Sequence, residues 1–417
     1  MSSGSEHICI VGAGIIGIDC ALELQKAGFQ VTILTRDEPG AGCSFGAAGN
    51  FGGNVHFAIP NLLRKLPGMY FNKLHPFSFY LRDVWPLASW FSKYVKAAEP
   101  AKAQAIAETF RALGDGVFES YRDLLAQAGA PGLISRSGRL FVWSTQEGFE
   151  RDRYGLDFRR NQGIVLKMLS PGEVRELEPA VSHPIRHGAF APDAGYILNP
   201  LRLVQTLTQH FVRQGGRLVR GELRSIEEGT HGVTLRTQAE SHTADQAIIA
   251  MGIDSKWIAE RLGIKVPLVA ERGYHVMIDA PRVPLKIPVM WEERKILFTG
   301  MELGLRVAGI AEFTARQRSP RPRFARLLHQ TARDFFPQLR DAPMASSWAG
   351  FRPVTPDYLP MIGRIRDGGR VICAFGHGHG GYHYGPGTAR LVRQIATRQV
   401  MPSPMLDRMS PLRFSPA

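Results

Sequence analysis

Cysteine is scarce in this chain: Cys9, Cys20, Cys43 and Cys373 are the only four among 417 residues. None forms a C-x-x-C pair or clusters with histidine, which argues against a disulfide framework and against structural zinc, so no metal is expected and a reducing cytoplasm is. Long apolar runs are missing too. No stretch approaches the roughly 18 apolar residues of a membrane-spanning helix, and the first apolar run is a strand rather than the middle of a secretory leader. Acids are outnumbered, 37 Asp+Glu against 51 Lys+Arg, giving a formal net charge of +14. Such an excess fits nucleic acid, an anionic membrane surface or an acidic substrate. The densest basic run, Arg316-Gln317-Arg318-Ser319-Pro320-Arg321-Pro322-Arg323, has no aromatic until Phe324. It therefore lacks the stacking platforms of a single-strand binder, and no nucleic-acid partner is expected.

Glycine, in contrast, is abundant and patterned. His7-Ile8-Cys9-Ile10-Val11 opens directly into Gly12-Ala13-Gly14-Ile15-Ile16-Gly17, a G-x-G-x-x-G spacing. Ile8 to Val11 reads as a buried parallel strand, Ile18 to Ala27 as a helix stopped by Gly28, and Phe29 to Leu34 as a second strand. In that βαβ setting Gly12 serves a tight turn, Gly14 lets backbone approach a pyrophosphate, and Gly17 lets helix and strand pack closely. The helix N-terminus offers N–H groups and a partial positive charge to the phosphates.

Residues 40–53 are almost all small, suited either to backbone lying against a flat ligand or to a linker. Residues 54–98 mix aromatics with Lys and Arg, and Asp83 is their only acid. That composition reads equally as an interfacial membrane segment and as helices roofing an active site, broken by Pro67, Pro76 and Pro86. Residues 101–128 carry one long helical pattern, Ile106, Phe110, Leu113, Val117, Tyr121, Leu124 and Leu125. Asn199 and Pro200 predict an N-cap and first position for a helix over 201–214. Strands are expected at 217–220, 223–227, 233–237 and 246–250, an antiparallel sheet over 266–310, a helix over 323–336, a strand at 371–375, and a last helix opening at Gly385-Pro386-Gly387.

Five motifs together resemble the D-amino acid oxidase superfamily of FAD enzymes, most closely its bacterial D-amino acid dehydrogenase branch. They are the glycine loop, Cys43-Ser44-Phe45-Gly46-Ala47-Ala48-Gly49, Ala250-Met251-Gly252, Gly350-Phe351-Arg352-Pro353-Val354-Thr355-Pro356-Asp357, and the closing segment Gly376-His377-Gly378-His379-Gly380-Gly381-Tyr382-His383. The resemblance implies an α/β fold: a discontinuous Rossmann-like FAD-binding domain (1–53, 196–258 and 345–417) plus an antiparallel-sheet substrate domain with helices (54–195 and 259–344).

It also implies residue roles. FAD would be held by Gly12, Gly14, Ile15, Ile16, Gly17, Thr35 and Arg36 at the ADP end, with Leu223 and Gly252. Cys43, Ser44, Gly49 and Asn50 would line the flavin, and Gly376, His377, Gly378, His379, Gly380 and Gly381 would meet its N1–C2=O edge. Arg352 would clamp the substrate carboxylate, for which a guanidinium fork is the best geometry. Arg306 matches an arginine near the site or a structural ion pair, and Tyr274 a tyrosine over the substrate or in the core. His379 and His383 stand where relatives carry Thr or Ser, so they face either substrate or the flavin edge and solvent.

Two further departures bear on FAD. The acid that would bind the ribose is replaced by Thr35-Arg36-Asp37, and no cysteine follows the Arg352 motif to tether a flavin, so noncovalent FAD is expected. The implied activity is hydride transfer from a D-amino acid or a secondary amino acid, with an unspecified electron acceptor, quinone or oxygen. An oxidase, or a membrane-docked flavin subunit contacting lipid through 54–98, is the alternative.

Overall fold

The computed structural model describes residues 5–52, 77–79, 87–279, 283–314, 316 and 318–415. Its first layer is a six-stranded sheet in the order Arg217–Arg220, Gln30–Thr35, His7–Val11, Gln246–Ile249, Val371–Phe375, Met361–Arg364. Every neighbouring pair is parallel except the last. The central strands are buried on both faces, which is why they read as unbroken Val/Ile runs rather than alternating ones. Ile10 sits between Ile33 and Ile248 in register.

Helices Ile15–Lys26, Pro200–Arg213 and Gly381–Ala396 pack with that sheet around one core. The Asn199 cap is present, its Oδ1 accepting the N–H of Arg202 at 3.1 Å, with Pro200 in the first turn. On the opposite face lies a three-stranded antiparallel sheet, Ser225–Glu228, Val233–Arg236 and Ser241–Ala244. Leu223 precedes its first strand and is buried.

Two helix expectations are corrected. The pattern over 101–128 is two helices, Pro100–Gly114 and Val117–Gln127, because Gly116 adopts φ +66 between them and caps the second. The last helix begins at Gly381, ahead of the Gly385-Pro386-Gly387 step, and carries Pro386 inside it. Five residues of helix before the proline move its positive end to the Gly376–Gly381 loop.

The second layer is a nine-stranded, mostly antiparallel sheet whose long strand Val269–Ile278 lies between Gly304–Phe313 and the edge strand Met344–Val354. Side chains alternate along it. Arg272, Tyr274, Val276 and Ile278 face the helix Pro322–Phe335, where Tyr274 meets Phe324 edge-on at 5.0 Å between ring centroids. Glu271, Gly273, His275 and Met277 face the first layer.

Much of 54–98, namely 54–76 and 80–86, lies outside the described residues. Within helix Ala88–Ala97, Trp90, Phe91 and Tyr94 are buried against Phe313 and Val354. Trp90 Nε1 donates to the Val354 carbonyl at 3.3 Å. These three aromatics are spent on the second sheet and face away from solvent. Among the described residues no helix is long and apolar enough to cross a membrane.

Candidate active site

One cavity of about 1630 Å³ runs between the two layers. At one end the strand His7–Val11 hands over to its helix through Gly12, at φ +112, whose N–H donates to the Leu34 carbonyl at 2.9 Å. A Cβ on Gly17 would lie 1.9 Å from the Gly12 carbonyl oxygen, so only glycine allows this helix to start so close to the strand. Gly14 caps the helix without a side chain, and Ile15 N–H donates to Ser44 Oγ at 3.0 Å. Gly12, Gly14, Ile15 and Ile16 line the cavity here, as do Leu223 and Gly252 across it. Backbone bare of side chains beside a helix N-terminus is the cradle a pyrophosphate requires.

The ribose end departs from the sequence expectation. Thr35 is buried, its hydroxyl donating to the Asp37 carbonyl at 2.9 Å. Arg36 pairs with Asp37 at 2.9 Å and lies 3.8 Å from both Glu222 and Asp254. Two carboxylates from later elements, Glu222 and Asp254, stand on the cavity wall at this end.

The small-residue loop 40–52 crosses the middle of the cavity and its carbonyls are pinned from the second layer. Arg306 Nη1 donates to the carbonyls of Phe45, at 3.2 Å, and Ala47. Thr299 donates to Ala48 at 3.1 Å, and Tyr382 to the Ser44 carbonyl at 3.1 Å. Trp348 covers Gly46 and stacks on His275 at 5.2 Å. Arg306 is buried and off the cavity wall, and among the described residues it has no ion-pair partner; burial pushes its pKa down to about 10. Cys43, Ser44, Gly49 and Asn50 do line the cavity, and burial raises the Cys43 thiol, so it stays protonated. Asn50 pairs with Tyr196 in a short antiparallel ladder.

At the far end, Arg352 lies flat against the strand Val269–Ile278. Its guanidinium carbon is 2.4 Å from where a Cβ on Gly273 would sit, so Gly273 makes the room. Arg352 Nη1 donates to Glu271 Oε1 at 2.7 Å, and His379 Nε2 lies 2.9 Å from the same oxygen. Glu271 is 0% exposed. Burial alone would raise its pKa, but His379 and Arg352 outweigh burial and hold it at about 2.

Nothing in the sequence singled Glu271 out; it is one position on the inward phase of a strand whose other phase carries Tyr274. For the same reason Tyr274 takes the core place of its two readings. It is 3% exposed on the outward phase, off the cavity wall, and its hydroxyl donates to Glu312 at 2.6 Å.

The loop Gly376–Gly381 lines the cavity throughout. It is tied beside Arg352 by Gly378 N–H donating to the Pro353 carbonyl at 3.0 Å and by a bridge between Val354 and His377. His377 is buried on Thr388 at 2.9 Å, and burial lowers its pKa to about 3. His383 Nδ1 accepts the Gly52 N–H at 3.0 Å; burial first, then Arg139, lowers it to about 4. Both rings are neutral, whereas His379 has a carboxylate partner. The wall continues past His383 to Arg139, Arg159 and Lys295, the last paired with Asp152 at 3.0 Å and with Glu292. Among the described residues no three His, Cys, Asp or Glu side chains group to hold a metal.

Comparison with known proteins agrees with this layout. A family model described as FAD dependent oxidoreductase (DAO) matches residues 7–395. A D-amino-acid oxidase of Bradyrhizobium diazoefficiens is 31% identical over 98% of this chain and 99% of its own. A D-amino acid dehydrogenase of Vibrio vulnificus is 26% identical over 95% of this chain and 97% of its own. Among solved structures, glycine oxidase from Geobacillus kaustophilus superposes with a TM-score of 0.76 at 23% identity, covering 98% of this chain and 99% of that one. L-proline dehydrogenase from P. horikoshii gives 0.75 at 17% identity, covering 98% of each. The family uses FAD, and the glycine cradle, the pinned small-residue loop and the helix end at Gly381 fit that cofactor. The chain belongs to the DAO family of FAD-dependent oxidoreductases.

Proposed function

We propose that this protein oxidises the C–N bond of an amino acid, a D-amino acid or a related secondary amino acid, using noncovalent FAD. The observation that carries this reading is the Arg352 guanidinium on the cavity wall, supported from behind by buried Glu271. Bound FAD supplies the acceptor for a hydride from the substrate Cα. The chain's own residues do the positioning. Arg352 keeps Nη2 and Nε for a substrate carboxylate while Nη1 stays on Glu271, and this fixes the α-carbon relative to the small-residue loop. The N–H groups of Gly378 to Gly381 and the start of helix Gly381–Ala396 supply the positive end that favours negative charge nearby.

The division into a cofactor unit (1–53, 196–258, 345–417) and a substrate unit (54–195, 259–344) belongs to the same proposal. It assigns the first sheet to FAD and the second, apart from its strand Met344–Val354, to the substrate.

The test is anaerobic bleaching of the flavin bands by a panel of D-amino acids, N-alkyl amino acids and D-hydroxyproline. Reduction by at least one carboxylated amine is expected, and a flavoprotein that none of them bleaches would sink the reading. An oxidase of the same family is the second reading, favoured by the 31% identity to a D-amino-acid oxidase. Peroxide release against dye or quinone reduction separates the two. Peripheral membrane contact through 54–98 is weakened by the inward packing of Trp90, Phe91 and Tyr94.

A further inference from the structure

Tyr358 stands at φ +62, in the left-handed region that an aromatic residue rarely adopts. Hydrogen bonds from several sides hold it there. Its N–H donates to the Thr355 carbonyl at 3.1 Å, Thr355 Oγ1 to the Leu359 carbonyl at 2.8 Å, and the Leu359 N–H to Asp357 Oδ1 at 3.2 Å. From near the end of the chain, the Arg413 guanidinium grips both Asp357 oxygens, at 2.8 and 3.0 Å, and the Leu359 carbonyl at 2.7 Å. A backbone held off its preferred conformation costs stability, and it persists where surrounding bonds impose it, most often at binding sites.

What this turn delivers is a half-buried phenol on the cavity wall. Its ring packs on the cluster of Trp90, Tyr94 and Val354, edge-on to Tyr94 with 6.0 Å between centroids. Both charges of the Arg352–Glu271 pair act on it. Burial first, then Tyr94 and Glu271, outweigh Arg352 and keep the phenol protonated. Tyr121, Tyr274 and Tyr382 spend their hydroxyls on Asp19, on Glu312, and on the Ser44 and Pro200 carbonyls. Among the described residues no hydrogen bond engages the Tyr358 hydroxyl.

We infer that Tyr358 contacts the substrate, its phenol donating to an oxygen of the carboxylated molecule that Arg352 binds. The inference rests on the amino acid reading above. Two kinds of oxygen fit that donor. One is a carboxylate oxygen, which accepts more hydrogen bonds than the guanidinium fork supplies. The other is a hydroxyl or amide oxygen on the substrate's side chain. In both cases the contact orients the α-carbon, and no proton or electron is transferred through it.

The test is stopped-flow anaerobic flavin reduction in the holoenzyme by D-alanine, whose only oxygens are those of its carboxylate, and by D-serine and D-asparagine. In Tyr358→Phe the apparent dissociation constant is expected to rise by roughly 10- to 100-fold for at least one of the three, with the limiting rate little changed. A loss that includes D-alanine assigns the phenol to the carboxylate, and a loss confined to D-serine and D-asparagine assigns it to the side chain. FAD affinity and the urea midpoint stay level in Tyr358→Phe, because the ring keeps its packing on Tyr94. A merely structural role would move those two and spare the substrate. Tyr358→Asn, a residue that tolerates the left-handed backbone, is expected to weaken the same substrates, which keeps the test decisive where the phenylalanine variant fails to fold.

Unchanged affinity for all three substrates, or a loss that appears only together with weaker FAD binding, overturns the inference and leaves the amino acid reading standing. Failure of every carboxylated amine to bleach the flavin overturns both.

Discussion

Arg352 Nη1 and Glu271 Oε1 lie 2.7 Å apart, joining residues 81 positions distant on adjacent antiparallel strands. The carboxylate is wholly buried, so the guanidinium is held flat and cannot swing to another partner without leaving the buried charge to His379 alone.

Arg352→Lys is expected to lower the second-order rate constant for carboxylated amines by roughly 100-fold, about 3 kcal/mol, because a point charge replaces a planar fork. The loss should fall mainly on substrate affinity, read from the substrate dependence of stopped-flow flavin reduction. Unchanged affinity would remove Arg352 from substrate binding.

Tyr274→Phe separates the two faces of one strand. The phenol bonds Glu312 on the outward side, with Arg272 and Arg321 also on that carboxylate. The variant should lose about 1.5–3 kcal/mol of stability in urea unfolding, the worth of a hydrogen bond to a charged group, with KM unchanged. A raised KM at undiminished stability would restore a substrate-covering role.

Arg306→Met removes the donors from the Phe45 and Ala47 carbonyls while keeping a long apolar side chain in the sheet. Two part-buried carbonyls without partners should loosen the loop at a cost of about 1 kcal/mol each. The expected outcome is an FAD dissociation constant raised at least tenfold, measured by fluorescence on reconstitution, and little change in rate at saturating FAD. Unaltered FAD affinity would contradict the pinning role.

Asp19 predicts a pH dependence of stability. Burial raises its pKa from 3.8 to about 8, against the lowering effect of the Tyr121 hydroxyl 2.9 Å away. The folded state holds the proton more tightly than the unfolded one, so this contribution is fully present below about pH 4 and is lost as pH rises through about 8. The buried histidines, His275, His377 and His383, have the opposite sign and act below their ordinary value of 6.5. Urea midpoints should therefore fall between about pH 6.5 and 8 in the parent protein and stay level in Asp19→Asn. A level parent profile over that window would refute the protonated carboxyl.

The parts legible in the sequence are those set by short-range physics. The G-x-G-x-x-G turn could be read because Gly12 needs φ +112 and Gly17 leaves 1.9 Å to a carbonyl where a Cβ would stand, and both demands exclude other residues at fixed spacing. The Asn199–Pro200 helix start and the doubly buried strands are equally local. The break at Gly116 was hidden because the apolar spacing runs straight through it while the backbone turns.

Tertiary structure alone decided which side chains meet. Strand alternation shows that Glu271 and Tyr274 point opposite ways, but the phase that faces the cavity depends on where the helix Pro322–Phe335 packs. That packing puts Tyr274 in the core and Glu271 between Arg352 and His379. The acids near the ribose end likewise come from Glu222 and Asp254, far along the chain from Thr35. Charges interact through space, and spacing in the sequence does not record which of them a fold will bring within 3 Å.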